Sequence, residues 1–291
     1  GFESLVVVFF LLIFHGACHF EKKNFTVRAI SKRKVSRRTT LNGPAQVSYS
    51  LCEASTVFHG IFIKRHWDVC GEEVTKAVLR IVRGEESPDC INDTFLVLIL
   101  KVLNPSLLSQ FRPISLCNVL YKVASKVIAN RLKEILPDII SEEQSAFVPG
   151  RLITDNIICA YECLHFMKRN KAKIHQSCAL KLDMMKAYDR VEWDFLRAML
   201  LRLGFGTRWV DLVMNCVSSV RYQIKINGEL TEQFSPTRGL RQGDPSSPYL
   251  FVICAEGLSA LLHDAEANMR ITGVKLCRNA PVVSHLLFAD D

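Results

Sequence analysis

The chain has 291 residues, 49% apolar and 23% charged, which excludes a disordered polymer and leaves ample material for a buried core. Its 11 cysteines are odd in number, scattered and never spaced as Cys-x-x-Cys, which argues for reduced thiols and against a disulfide framework or a zinc knuckle. The formal net charge of +8 suits a polyanionic partner.

In chain order, residues 5–14 form a ten-residue apolar block. A bilayer span needs about 20 residues. The length fits a signal-peptide core, but only Glu3 precedes it where a positive charge is expected, so the alternative is flanking sequence with no role. Lys22, Lys23, Arg28, Lys32, Arg33, Lys34, Arg37 and Arg38 then crowd a stretch without periodicity, either a nucleic-acid-binding arm or a solvated linker. Residues 1–56 are therefore an N-terminal extension, and the first 50 are expected to make few contacts with the rest. Order is expected from residue 57.

Trp67, Val69, Val74, Ala77, Val78 and Ile81 mark a loose helical stripe ending near Gly84. Thr94 to Val102 reads as a buried strand carrying Lys101, and Phe111 to Leu116 as a second extended piece carrying Arg112. Two cations on neighbouring strands suit a triphosphate; isolated strand cations are otherwise exposed edges. Asn118 caps an amphipathic helix with Val119, Leu120, Val123, Val127, Ile128, Leu132 and Ile135 on one face, which Pro137 is expected to stop. After a loop ending in Arg151, a helix from Thr154 or Asp155 is expected to turn Ile157, Ile158, Tyr161, Leu164 and Met167 inward.

Leu180 and Leu182 alternate with Lys181 and Asp183, placing Asp183 at a strand end. By itself that residue is a cap for the next helix. The chain closes, however, on another apolar run followed by Asp290 and Asp291. Three carboxylates at two strand ends suit Mg²⁺ and a phosphate substrate. The two strands are expected to lie side by side. Between them come helices over about 192–203 and 208–219, an alternating strand from Arg221 closing on Asn227-Gly228, and a loop containing Arg238, Gly239, Arg241, Gln242 and Gly243. That loop opens a helix from about Pro248 to Asn268. Its glycines, cations and helix N-terminus suit an anion, or serve as a plain cap.

Five stretches carry a resemblance in order: Phe111-Arg112-Pro113-Ile114-Ser115-Leu116, residues 144–151, Leu182-Asp183 through Asp189, Gly239-Leu240-Arg241-Gln242-Gly243-Asp244-Pro245, and Phe288-Ala289-Asp290-Asp291. Together they resemble the reverse transcriptase domain of LINE-type non-LTR retrotransposons, most closely plant ones, over residues 57–291. The resemblance implies an α+β right-hand polymerase fold with fingers and palm, a small antiparallel palm sheet with packed helices, and C-terminal truncation. It implies RNA-directed DNA polymerase activity by two-metal nucleotidyl transfer onto a primer 3′-hydroxyl. Asp183, Asp290 and Asp291 would be the catalytic residues and metal ligands, holding two Mg²⁺ ions for which Mn²⁺ can substitute. Lys101, Arg112, Tyr188, Gln242 and Gly243 would bind the nucleotide, with Tyr188 the gate against a ribose 2′-hydroxyl. Arg151, Arg238 and Arg241 are expected to face the same cleft and hold nucleic acid.

The implied partners are an RNA template, a DNA primer and dNTPs, with no obligate protein partner and no membrane. The implied location is intracellular, in the nucleus. Two departures stand out: Leu100 replaces the usual proline before Lys101, and Ser246 puts a hydroxyl where leucine is usual. With the chain stopping at Asp291, the alternatives are an inactive remnant or a nucleic-acid-binding protein without catalysis; weak, salt-sensitive binding of primer–template is expected, with primer extension poor or absent.

Overall fold

Leu120, Tyr121, Ala124, Ile128, Leu132 and Leu136 recur at three- and four-residue steps, so one face of the helix α3 (Val119–Ile139) is apolar and fully buried. A computed structural model describes residues 6–11, 60–169, 177–226 and 229–288. Against α3 packs α2 (Trp67–Val82), which contributes Val74, Val78 and Ile81; the short α1 (Gly60–Arg65) precedes it. Asn118 accepts a hydrogen bond from Leu120 N–H at 2.9 Å, the expected cap.

Helix α4 follows at Ile153–Arg169, α5 at Trp193–Arg202, α6 at Thr207–Ser218 and α7 at Ser247–Ala267. Residues 249–254 of α7 are all buried, so its N-terminal part is surrounded by protein, whereas the part after Ser259 meets solvent, with Leu261 69% exposed. It packs on α5, and α5 on α6. Among the described residues, no helix is long and apolar enough to cross a membrane.

The strands form two main sheets. In one, β2 (Asp93–Leu100) pairs antiparallel with β3 (Phe111–Cys117) and parallel with β5 (Arg221–Ile226), while β6 (Glu229–Leu230) returns antiparallel on β5. The β5–β6 pairing is the expected hairpin; Asn227-Gly228 itself lies outside the described residues. The other sheet has the order β4-β1-β9, with β1 at Val6–Leu11, β4 at Ser177–Lys181 and β9 at His285–Leu287. A small ribbon, β7 (Val274–Lys275) with β8 (Val282–Val283), sits before β9.

The α+β class is as expected, but four details are not. First, β4 and β9 are not neighbours: β1 lies between them and runs parallel to both. Second, this segment of the N-terminal apolar block therefore contacts the rest of the chain, contrary to expectation. The reason is that ladder hydrogen bonds need no amphipathic pattern, and a central parallel strand reads as a continuous apolar run. Third, Pro137 does not stop α3, which continues to Ile139. Only the N–H of Pro137 is lost, and Ile140 N–H still bonds the Leu136 carbonyl at 3.0 Å. Fourth, α4 buries Asn156, Ala160 and Cys163, and leaves Ile158 60% and Tyr161 66% exposed. Its smaller face wins because β9 and its neighbours approach there, with Cys163 and Ala160 packed beside Leu286 and Phe288.

Candidate active site

Parallel pairing to one central strand sets the polarity of the carboxylate-bearing strands. Lys181 of β4 and Leu286 of β9 are both level with Phe10 of β1. Both strands run the same way, so Asp183, two residues past β4, leaves from the end of the sheet toward which β9 also runs. Successive strands lie about 4.8 Å apart, so β4 and β9 are separated by roughly 10 Å with β1 between. Asp183 is exposed, and no hydrogen bond or ion pair among the described residues uses its carboxylate. Asp290 and Asp291 lie outside the described residues.

Beyond Asp183 the chain makes a short 3₁₀ turn, Tyr188–Arg190, and the glycine-rich loop folds onto it. Leu240 N–H bonds the Tyr188 carbonyl at 2.8 Å, and Gly239 N–H the Val191 carbonyl at 2.8 Å. Trp193 Nε1–H donates to the Gly239 carbonyl at 2.9 Å. Tyr188 is buried and stacks on Phe251 of α7, with ring centroids 5.0 Å apart and planes at 10°. Its ring is held rigidly within five residues of Asp183.

The other side of the loop lies on β3. Ser115 N–H donates to the Gln242 carbonyl at 2.8 Å. At Gly243, φ is +107°, and a Cβ would meet the Ser115 carbonyl oxygen at 2.9 Å, so only glycine fits. Arg112 stands opposite Ile99 in the β2–β3 register, and Lys101 N–H continues that ladder to the Gln110 carbonyl at 2.8 Å. Lys101 follows the last residue of β2 and Arg112 is the second residue of β3, so both lie at the end of the hairpin where the two strands are connected. Lys101 is exposed, with Nζ 3.3 Å from the Ser109 carbonyl oxygen. Backbone contacts therefore tie Lys101, Arg112, Gln242, Gly243 and Tyr188 into one continuous region beside Asp183.

Two of the three cations expected on nucleic acid are used inside the protein. Arg151 donates to the carbonyls of Pro137 and Ile140 at the end of α3, at 3.2 and 2.8 Å, and to Gln144 at 2.8 Å. It caps that helix, where otherwise unpaired carbonyls and the dipole favour a cation. Arg241 is 4% exposed and does not face a cleft. Its guanidinium lies 3.9 Å from the Tyr121 ring centroid and 3.1 Å from Asp244 Oδ2, and it donates to the Cys216 carbonyl at 3.0 Å and to Asn92 Oδ1. Arg238 remains exposed, 2.8 Å from Glu192 Oε1.

Asp244, which sequence reasoning did not single out, is the centre of this buried network. Besides Arg241 it accepts from Tyr121 O–H at 2.8 Å, from Ser125 O–H, and from Ser246 N–H and O–H at 2.9 and 3.0 Å. The hydroxyl of Ser246 thus has a polar partner rather than an apolar slot. Burial, then the Asp244 charge, hold the Tyr121 phenol well above its ordinary range, so it stays a donor. A usable signal existed: an Arg and an Asp three residues apart in a glycine loop, too close to both reach outward.

Comparison with known proteins gives the following similarities. The family described as reverse transcriptase (RNA-dependent DNA polymerase) matches residues 102–291. A 149 kDa protein of transposon TX1 from Xenopus laevis is 32% identical over 230 residues, covering 79% of this chain and 17% of the relative. An uncharacterized mitochondrial protein of Arabidopsis thaliana is 52% identical over 66 residues, 23% of this chain and 54% of the relative. A retrovirus-related Pol polyprotein from the type-2 retrotransposable element R2DM of Drosophila melanogaster is 31% identical over 150 residues, 51% of this chain and 14% of the relative. The chain thus spans from 14% to 54% of the length of these relatives.

Proposed function

Because the chain belongs to the reverse transcriptase (RNA-dependent DNA polymerase) family, we propose that it is the fingers and palm of an RNA-directed DNA polymerase from a non-LTR retrotransposon. The transposon names of the frog and fly relatives support that origin. The expected plant affiliation is not supported, since the transposon-named relatives are from a frog and a fly and the 52% identity to the Arabidopsis thaliana protein covers only 66 residues. The substrates are an RNA template, a primer with a free 3′-hydroxyl and dNTPs, a chemistry the nucleus supplies. The observation that carries the reading is the common polarity of β4 and β9. The two strands run in the same direction in one sheet and precede carboxylates 107 residues apart in sequence (290 − 183), which supports a shared site for Asp183 and the Asp290-Asp291 pair, the latter outside the described residues.

Asp183 fits a hard cation: it is an exposed oxygen donor that no described group neutralises. With Asp290 and Asp291 it would hold a pair of Mg²⁺ ions, which supply Lewis acidity to the attacking hydroxyl and the leaving pyrophosphate. Lys101 and Arg112 meet the triphosphate from the end of the β2–β3 hairpin. The Gln242-Gly243 backbone supports the base pair, and Tyr188 bars a 2′-hydroxyl by the rigidity its stack on Phe251 gives it. Arg238, the one exposed cation of the loop set, contacts the nucleic-acid backbone.

Primer extension on an RNA template with dNTPs and Mg²⁺ tests this. Extension should be abolished by Asp183→Ala with no change in melting temperature, because the carboxylate supports nothing else among the described residues. Extension surviving that substitution would overturn the assignment of Asp183. Failure of the unaltered chain to bind primer–template at low salt would overturn the substrate class.

A further inference from the structure

Away from this site, three side chains from separate elements converge behind β9. They are Glu143 in the loop after α3, His263 on α7 and His285 on β9, and one ligand atom of each lies within 4.8 Å of the other two. Glu143 Oε1 is already 3.1 Å from His263 Nε2, and the two imidazole centroids are 4.9 Å apart. We propose that Glu143, His263 and His285 form a binding site for a borderline transition-metal ion of the Zn²⁺ class, which clips the β9 strand to α7 and to the end of α3.

The donor set selects the ion. Two imidazole nitrogens and one carboxylate oxygen suit Zn²⁺, whose fourth tetrahedral position is left to solvent, and not Mg²⁺, which prefers oxygen alone. Ligand bonds of about 2.0–2.1 Å place tetrahedral donors roughly 3.3 Å apart, so the triangle must tighten by an ångström or so. The side chains of His263 and Glu143 are 43% and 26% exposed, so they can rotate, and they form the entry path.

His285 is the fixed member. It is fully buried, with Nε2 2.7 Å from Ser259 Oγ and Nδ1 3.0 Å from Ser284 Oγ. Coordination takes one nitrogen from its serine, and the other serine then holds the ring, as outer-shell partners do. Burial first, then the neighbouring His263, keeps its imidazole below the ordinary range and so in the neutral form a metal needs. Burial raises the Glu143 carboxyl, but backbone and His263 hydrogen bonds outweigh it and hold the group ionised. Glu256 nearby is engaged by Ser141 N–H and O–H at 3.1 and 2.9 Å and is not a ligand.

The site also has a structural reason. Leu287 N–H bonds the Glu143 carbonyl at 2.9 Å, and Asn156 Nδ2–H donates to the carbonyls of Glu143 and Leu287 at 2.7 and 3.1 Å. An ion on the Glu143 side chain would therefore brace the same joint that carries β9 toward Asp290.

The test uses the full, metal-stripped chain, titrated with Zn²⁺ by calorimetry and melting temperature, with Mg²⁺ in excess throughout. One tight equivalent is expected, with a rise in melting temperature. His263→Gln and Glu143→Gln should each weaken it at least about tenfold while leaving the metal-free melting temperature unchanged, and His165→Gln, on α4, should not weaken it. With 11 cysteines in the chain, Co²⁺ provides the second readout: its complex should lack thiolate charge-transfer absorption. Absence of a tight equivalent, an equivalent unaffected by both variants, or a thiolate band would each overturn the proposal. Should either variant prove unfolded, the other and the Co²⁺ spectrum decide.

Discussion

Asp244→Asn puts the buried network to its hardest test. Five donors surround this carboxylate: the Tyr121 and Ser125 hydroxyls, the Ser246 N–H and hydroxyl, and the Arg241 guanidinium. An amide of the same shape brings two donors of its own, so at least one donor–donor clash results, and Arg241, 3% exposed in its side chain, loses its counter-charge. Breaking one partner of a buried pair costs about 3–5 kcal/mol. That is a large part of the roughly 5–15 kcal/mol by which domains are stable. For a chain of this size each kcal/mol moves the melting temperature by about 2–4 °C, so a fall of roughly 6–20 °C is expected in thermal unfolding followed by circular dichroism. Adding Arg241→Met should restore a substantial part of the loss, because both charges then leave together. A fall below about 2 °C for Asp244→Asn, or strict additivity in the double variant, would refute the reasoning.

Gly243→Ala should destabilise by about 1–3 kcal/mol, since it combines a positive φ with a contact at 2.9 Å to Ser115 oxygen; urea unfolding measures it, and an unchanged midpoint would show that the loop can give way. Arg151→Ala should lower stability by about 2–3 kcal/mol through its lost helix-end carbonyl bonds, yet leave the salt dependence of primer–template binding unaltered. Lys101→Ala should do the reverse: little change in stability, and a salt slope reduced by about one. Burial depresses His285 below the ordinary imidazole value of 6.5, so the unfolded chain takes up that proton first. The stability this contributes is complete above pH 6.5 and is lost as pH falls from there toward the lowered value, and thermal unfolding at stepped pH should show the decline, reduced in His285→Gln.

Much of the architecture is local and was readable in the chain. The Asn118 cap, the helix it opens, the strand at Arg221–Ile226 and the strand carrying Arg112 depend on spacing within one element, and they appear where expected. The strand expected to be buried and to carry Lys101 instead ends at Leu100 and is partly exposed, and α3 buries Tyr121, Ala124 and Leu136 where Val123, Val127 and Ile135 were expected. The five motifs that mark the polymerase are local too. Spacing cannot tell which of two apolar faces meets a neighbour. Residues Ile157, Ile158 and Tyr161 carry the greater hydrophobicity of α4, but the close approach of β9 selected Asn156, Ala160 and Cys163. Nor can it tell a cation that meets solvent from one that meets carbonyls. Arg151 and Arg241 are charged in sequence exactly as Arg238 is, and only the fold put the first on a helix end and the second beneath Tyr121. Strand order is the same kind of quantity. Val6–Leu11 has no partner written into it, and its place between β4 and β9 follows from edges that only the assembled sheet presents. Periodicity and capping are set by neighbours a few residues away, whereas face selection, sequestration of charge and strand order are set by groups from other elements, 7 to 14 residues away for Arg151 and more than a hundred for Asn156 and Arg241, through contacts that exist once the chain has closed on itself.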